Sequence, residues 1–105
     1  MPNFAFIYHG GSKPETPEEG AAEMAKWKAW LEGVGEDAVD PGNPVGMSKT
    51  VSADGVADNG GSNPTSGYSI IRADDMDAAL AVAKECPIVS GGGSVEVAEI
   101  IVIDF

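Results

Sequence analysis

Three segments of this chain are apolar on both faces of an extended backbone: Phe4 to Tyr8, Tyr68 to Ala73 and Ile100 to Ile103. Side chains alternate across a strand, so Phe4, Phe6 and Tyr8 share one face and Ala5, Ile7 and His9 the other. A strand of this kind needs cover on both sides of its sheet. Two helix signals lie between such strands. Thr16-Pro17-Glu18-Glu19 supplies a capping hydroxyl, a proline at the first helical position and a glutamate three residues after the cap. Met24, Trp27, Leu31 and Val34 then recur at helical spacing, widened by Trp30, and Gly33 and Gly35 suit a helix end. This predicts a helix over 17–33.

Asp37 to Pro44 is rich in turn formers, and Val45 to Val51 reads as a modest strand. Asp54-Gly55 suits a tight hairpin turn, with a return strand from Val56. A loop over Asn59 to Pro64 leads into the strand Tyr68 to Ala73. Asp74 caps a second helix over 75–86, with Met76, Ala79, Leu80 and Ala83 at helical spacing before Pro87. Gly91-Gly92-Gly93 precedes a last strand from Val95 to about Ile103. The order is β-α-β-β-α-β, a ferredoxin-like α+β fold with both helices on one face of an antiparallel sheet. Two helices cover one sheet face only. A second copy packed sheet to sheet is the simplest cover for the other, which predicts a homodimer.

A length of 105 residues suits a single domain, 1–105, with a radius of gyration of roughly 13 Å. Six Lys and Arg against 17 Asp and Glu give a formal charge of −11. Such a field repels phosphate backbones and anionic headgroups, so neither nucleic acid nor a membrane is expected as a partner. The longest aliphatic run, Ile100 to Ile103, falls far short of the roughly 20 residues of a membrane span. The start of the sequence has no basic region ahead of an apolar stretch, and the one cysteine, Cys86, has no second cysteine to pair with. These features predict a cytoplasmic protein.

His9 is the one imidazole, at a strand end beside Gly10-Gly11, where a backbone approaches a ligand closely. It reads either as a general acid or base or as a histidine bonded to a loop carbonyl. His9-Gly10-Gly11-Ser12 echoes the oxyanion loop of hydrolases, but the chain has no Gly-x-Ser-x-Gly elbow. The loop also lacks the Gly-Lys-Ser/Thr ending of a phosphate cradle. Asp74-Asp75-Met76-Asp77 is read as helix capping, and no metal or cofactor is expected. Trp27 and Trp30 read as core, and Cys86 as a small buried hydrophobe.

With that topology, several stretches resemble the YCII-related family and its branch named for an Asp-Gly-Pro-Phe motif. They are Phe4-Ala5-Phe6-Ile7-Tyr8, Trp30-Leu31, Asp54-Gly55, Gly67 to Ile71, Asp74 to Ala81 and Gly92 to Val97. The resemblance spans nearly the whole chain and is strongest from Gly67 to Val97. It implies a dimeric α+β barrel and, as in some members, a His–Asp pair acting on a small organic molecule. Here the imidazole is His9. Asp54-Gly55 keeps the first two letters of the motif, and Asp58 takes the aspartate position if the loop is shortened, so either aspartate is a candidate partner. The alternative is a non-catalytic module that binds a ligand or a protein.

Overall fold

The computed structural model describes residues 1–11 and 14–104. Its elements run β1 (Asn3–His9), α1 (Pro17–Val34), a 3-10 turn (Gly35–Asp37), β2 (Ala38–Pro44), β3 (Thr50–Ser52) and β4 (Gly55–Ala57). They continue through β5 (Thr65–Arg72), α2 (Met76–Lys84), α3 (Pro87–Ser90) and β6 (Ser94–Glu99). Strands β2, β5, β1 and β6 form, in that order, one antiparallel sheet, while β3 and β4 form a separate hairpin. This is the ferredoxin-like fold expected from the sequence, with the first strand at the centre and the hairpin inserted between the second and third strands of the sheet.

The helix starts follow the predicted chemistry. The Thr16 hydroxyl accepts from the Glu19 amide at 3.1 Å, and the Glu19 carboxylate accepts from the Glu15 amide at 2.8 Å. In α2 the cap is Asp75 rather than Asp74, its carboxylate accepting from the Ala78 amide at 2.8 Å. The Gly10 to Pro14 turn includes Ser12 and Lys13, which lie outside the described residues.

Two strand expectations are corrected. The second strand of the sheet is Ala38–Pro44, not Val45–Val51. Pro41 and Gly42 are turn formers, but on an edge strand with register shifts they are accommodated where the ladder is interrupted. The last strand ends at Glu99, and past Ile100, whose amide donates to the Asn3 carbonyl, the chain leaves the sheet. Ile101, Val102 and Ile103 are therefore exposed. The hairpin turn falls on Ala53-Asp54, one residue earlier than expected, because Ser52 pairs with Gly55.

The core lies between the sheet and the helices. Phe4, Phe6, Tyr8, Ile71 and Ala73 meet Ala79, Ala83 and Cys86, with Trp27, Trp30, Val34 and Val82 packed against them. The aromatic rings interlock: Tyr8 meets Trp27 edge-on at 5.0 Å, and Trp27 meets Trp30 edge-on at 5.8 Å. Met24 and Leu80, expected on the buried stripes, are instead exposed. On the other sheet face, Ala5, Ile7 and Ile70 are half-buried beside a more exposed Tyr68, with no helix over them. The shape reflects this: the chain measures 45 × 43 × 20 Å, a thin slab of one sheet and one helical layer. Its radius of gyration, 15.0 Å, exceeds the roughly 13 Å of a fully compact chain of this length.

Candidate functional site

His9 closes β1 and is 9% exposed. It shares the open sheet face with Ile7, whose partner across β6 is Glu96. That register brings the Glu96 carboxylate to the imidazole: Nε2 lies 3.1 Å from Oε1. The other ring nitrogen, Nδ1, lies 3.2 Å from the Pro64 carbonyl. Both partners are acceptors. A neutral ring has one N–H and can donate to one of them, whereas an imidazolium donates to both. Chain approach is close behind the histidine, since a Cβ added to Gly93 would stand 2.5 Å from the His9 carbonyl.

The two aspartates expected near His9 lie on the exposed hairpin and its return. The Asp54 amide donates to Ser52 Oγ at 3.3 Å, and the Asp58 carboxylate pairs with Lys49 at 3.4 Å. The carboxylate that meets His9 is Glu96, a residue that the sequence reading did not single out. Its signal was available in the alternation of Ser94-Val95-Glu96-Val97, which puts Glu96 opposite the two valines. Assigning its partner required the pairing of the first strand with the last, which no local pattern encodes.

Under the sheet, polar groups form a closed chain. The Tyr8 hydroxyl donates to Ser69 Oγ at 2.7 Å, and Ser69 Oγ donates to the Pro41 carbonyl at 2.7 Å. Burial pushes the Tyr8 phenol well above its ordinary range, although the Ser69 bond opposes the shift. Burial likewise pushes the Cys86 thiol up to about 11, so it is a buried neutral group rather than an activated thiolate. Trp30 Nε1 donates to the Val82 carbonyl at 3.2 Å, which ties α1 to α2.

Among the described residues, no cluster of three or more His, Cys, Asp or Glu side chains could hold a metal ion. No helix among them is long and apolar enough to cross a membrane. A groove of about 710 Å³ runs between α1 and β2, away from His9 in the fold, past Met24, Leu31, Ala38 and Pro41.

No protein-family model matches the chain, and no curated protein matches it. Among solved structures, the chain is similar to 5-chloro-2-hydroxyhydroquinone dehydrochlorinase from Burkholderia phenoliruptrix AC1100 in complex with 2,5-dihydroxybenzoquinone. The identity is 19%, with 88% of this chain and 90% of that chain covered, at a TM-score of 0.50. At that identity the likeness is one of fold, and the fold shared is the ferredoxin-like α+β arrangement described above.

Proposed function

We propose that this chain is a YCII-related domain that performs acid–base chemistry on a small organic molecule, with His9 as the proton carrier and Glu96 as its carboxylate partner. The observation that carries the reading is the position of His9 between Glu96 and the Pro64 carbonyl on the open face of the sheet. With Nδ1 donating to Pro64, a neutral ring presents its lone pair on Nε2 once the Glu96 carboxylate, itself an acceptor, swings aside to admit the ligand. That nitrogen takes a proton from a bound hydroxyl or acidic C–H. Glu96, with a side chain 66% exposed, is free to make that movement and then returns to stabilise the imidazolium. No cofactor is needed for such a transfer.

The similar dehydrochlorinase is recorded with a dihydroxybenzoquinone, so small oxygenated rings are the first probes. Thermal unfolding of wild type, His9→Ala and Glu96→Gln is followed with 2,5-dihydroxybenzoquinone, phenols and small organic acids. A ligand at 100 times its Kd stabilises the folded state by about 2.7 kcal/mol, which raises Tm by several degrees. The expected result is a shift in wild type that His9→Ala abolishes and Glu96→Gln weakens, with circular dichroism unchanged. Identical responses from all three proteins sink the site.

A second reading is favoured by the engagement of both His9 nitrogens: a clamp that holds the loop before β5, in a domain that binds a partner without turnover. It expects His9→Ala to lower Tm while leaving every ligand shift intact.

The open face also supports a homodimer packed sheet to sheet. Ala5, Ile7 and Ile70 there lie beneath no helix, and burying the same patch on two copies removes it from water. Light scattering at micromolar concentration is expected to give about twice the 10.7 kDa chain mass. A clean monomer contradicts the assembly without bearing on His9.

A further inference from the structure

The β3–β4 hairpin is an arm without a support. All six of its strand residues are exposed, and it touches the rest of the chain only marginally. Val51 and Val56 face each other across it, 77% and 62% exposed. A lone two-stranded hairpin is marginal in water, so a sequence that forms one gains stability only when a surface covers it. The chain also has an unfilled surface of matching character. The groove between α1 and β2 places Met24, 71% exposed, with Leu31, Ala38 and Pro41, and Lys28 and Glu32 sit one helical turn apart along it. Among the described residues neither Lys28 nor Glu32 has an ion-pair partner, and neither does Asp54 at the hairpin turn.

We propose that the hairpin of one copy lies in the α1–β2 groove of a second copy, with Val51 and Val56 on Met24 and Leu31 and with Asp54 beside Lys28. Charge selects this occupant. Lys28, without an ion-pair partner among the described residues, shares the trough with a single opposite charge, Glu32, and in a molecule of net charge −11 the arm brings Lys28 a carboxylate at its tip. Symmetry points the same way. Reciprocal exchange uses the arm and the groove twice, so it buries twice the area of one arm in one groove. The arm leaves the sheet at Pro44 and returns at Thr65, the end at which His9 sits, so the exchange also fixes the root of the loop bonded to His9. The proposal does not depend on whether His9 performs chemistry.

Hydrogen exchange of the amides of residues 50–57 and the dimer dissociation constant are measured together on the full chain. In wild type those amides are expected to be protected at concentrations where light scattering reports a dimer. Lys28→Glu raises the dissociation constant about tenfold or more and removes the protection. Asp54→Lys does the same, and the Lys28→Glu/Asp54→Lys pair returns it to within about threefold of wild type. Lys26→Glu is the control for net charge, because Lys26 sits on the same helix, outside the groove lining, and pairs with Glu23 at 3.6 Å. It is expected to change the constant by less than about threefold. Val51→Ala with Val56→Ala shrinks the apolar contact without altering charge or turn, and is expected to weaken the dimer as well. The proposal is overturned by a monomeric wild type, or by a dimer whose hairpin amides exchange like an unstructured peptide. It is equally overturned if Lys28→Glu behaves like Lys26→Glu, if the charge-reversed pair is not restored, or if the valine variant dimerises as wild type does.

Discussion

Phe6→Ala is expected to lower the unfolding free energy by about 3–5 kcal/mol, the range for emptying a buried aromatic site. Phe6 is fully buried at the middle of β1, one of the two inner strands of the sheet, with Ser69 and Val97 as its cross-strand partners. Its ring lies 6.3 Å from that of Trp30, itself fixed by the bond from Nε1 to the Val82 carbonyl. None of the three can move in to fill the void: Ser69 and Val97 are held by the sheet ladder and Trp30 by α2. A domain of this size has about 5–15 kcal/mol in total, so the variant loses a large part of its stability and its Tm falls by on the order of 15 °C. Urea unfolding followed by tryptophan fluorescence measures the loss. A change below about 1 kcal/mol contradicts the packing.

Gly42→Ala is expected to cost at least about 3 kcal/mol, a large effect for the addition of one methyl group. Gly42 has φ +73°, a conformation disfavoured for alanine. A Cβ there would also run into the Tyr68 carbonyl and stand 3.1 Å from the Ser69 Cα. Both obstacles are backbone of β5, so relief requires β2 to move off the sheet. That movement would carry the Pro41 carbonyl away from Ser69 Oγ and leave the buried Tyr8–Ser69 pair short of an acceptor. The Asp40 carboxylate, which accepts from the Gly42 amide at 2.8 Å, would lose its partner too. Chemical denaturation and the amide exchange of residues 38–44 report both consequences. Gly33, which a Cβ would leave in open space, provides the comparison: Gly33→Ala is expected to be neutral or stabilising.

The contrast between these glycines shows where sequence reasoning reached its limit. The capped start of α1, its length, the order of elements and the buried Phe4, Phe6 and Tyr8 all follow from local periodicity and capping chemistry. Strand β2 was illegible because Asp-Pro-Gly-Asn encodes a turn in isolation. Only a neighbouring strand turns it into a bulged edge, and tertiary pairing outweighs propensity at such positions. The apolar run Ile100 to Ile103 misled in the opposite sense, since its periodicity is that of a strand but the first strand has no residues left to pair with it beyond Asn3. At the site, His9 was legible from its chemistry and its place at a strand end. Its carboxylate was not, because Glu96 lies 87 residues away and reaches the ring through a register between the first and last strands. Likewise Met24 and Leu31 carry the periodicity of a core stripe while Trp27, Trp30 and Val34 take the core, so periodicity alone could not tell the inner face of α1 from the outer.

The central position of β1 has a consequence for the order in which the chain can fold as it is synthesised. Its two ladders are to β5 and β6, so among the four strands of this sheet the one made first is completed by the two made last. Helix α1 and the β3–β4 hairpin close over short separations and can form on the ribosome, but Phe4, Phe6 and Tyr8 have no sheet to join until residue 72 has emerged. Until then the nascent chain exposes its most apolar strand with both edges unpaired, which is the condition under which chaperones bind and neighbouring chains aggregate.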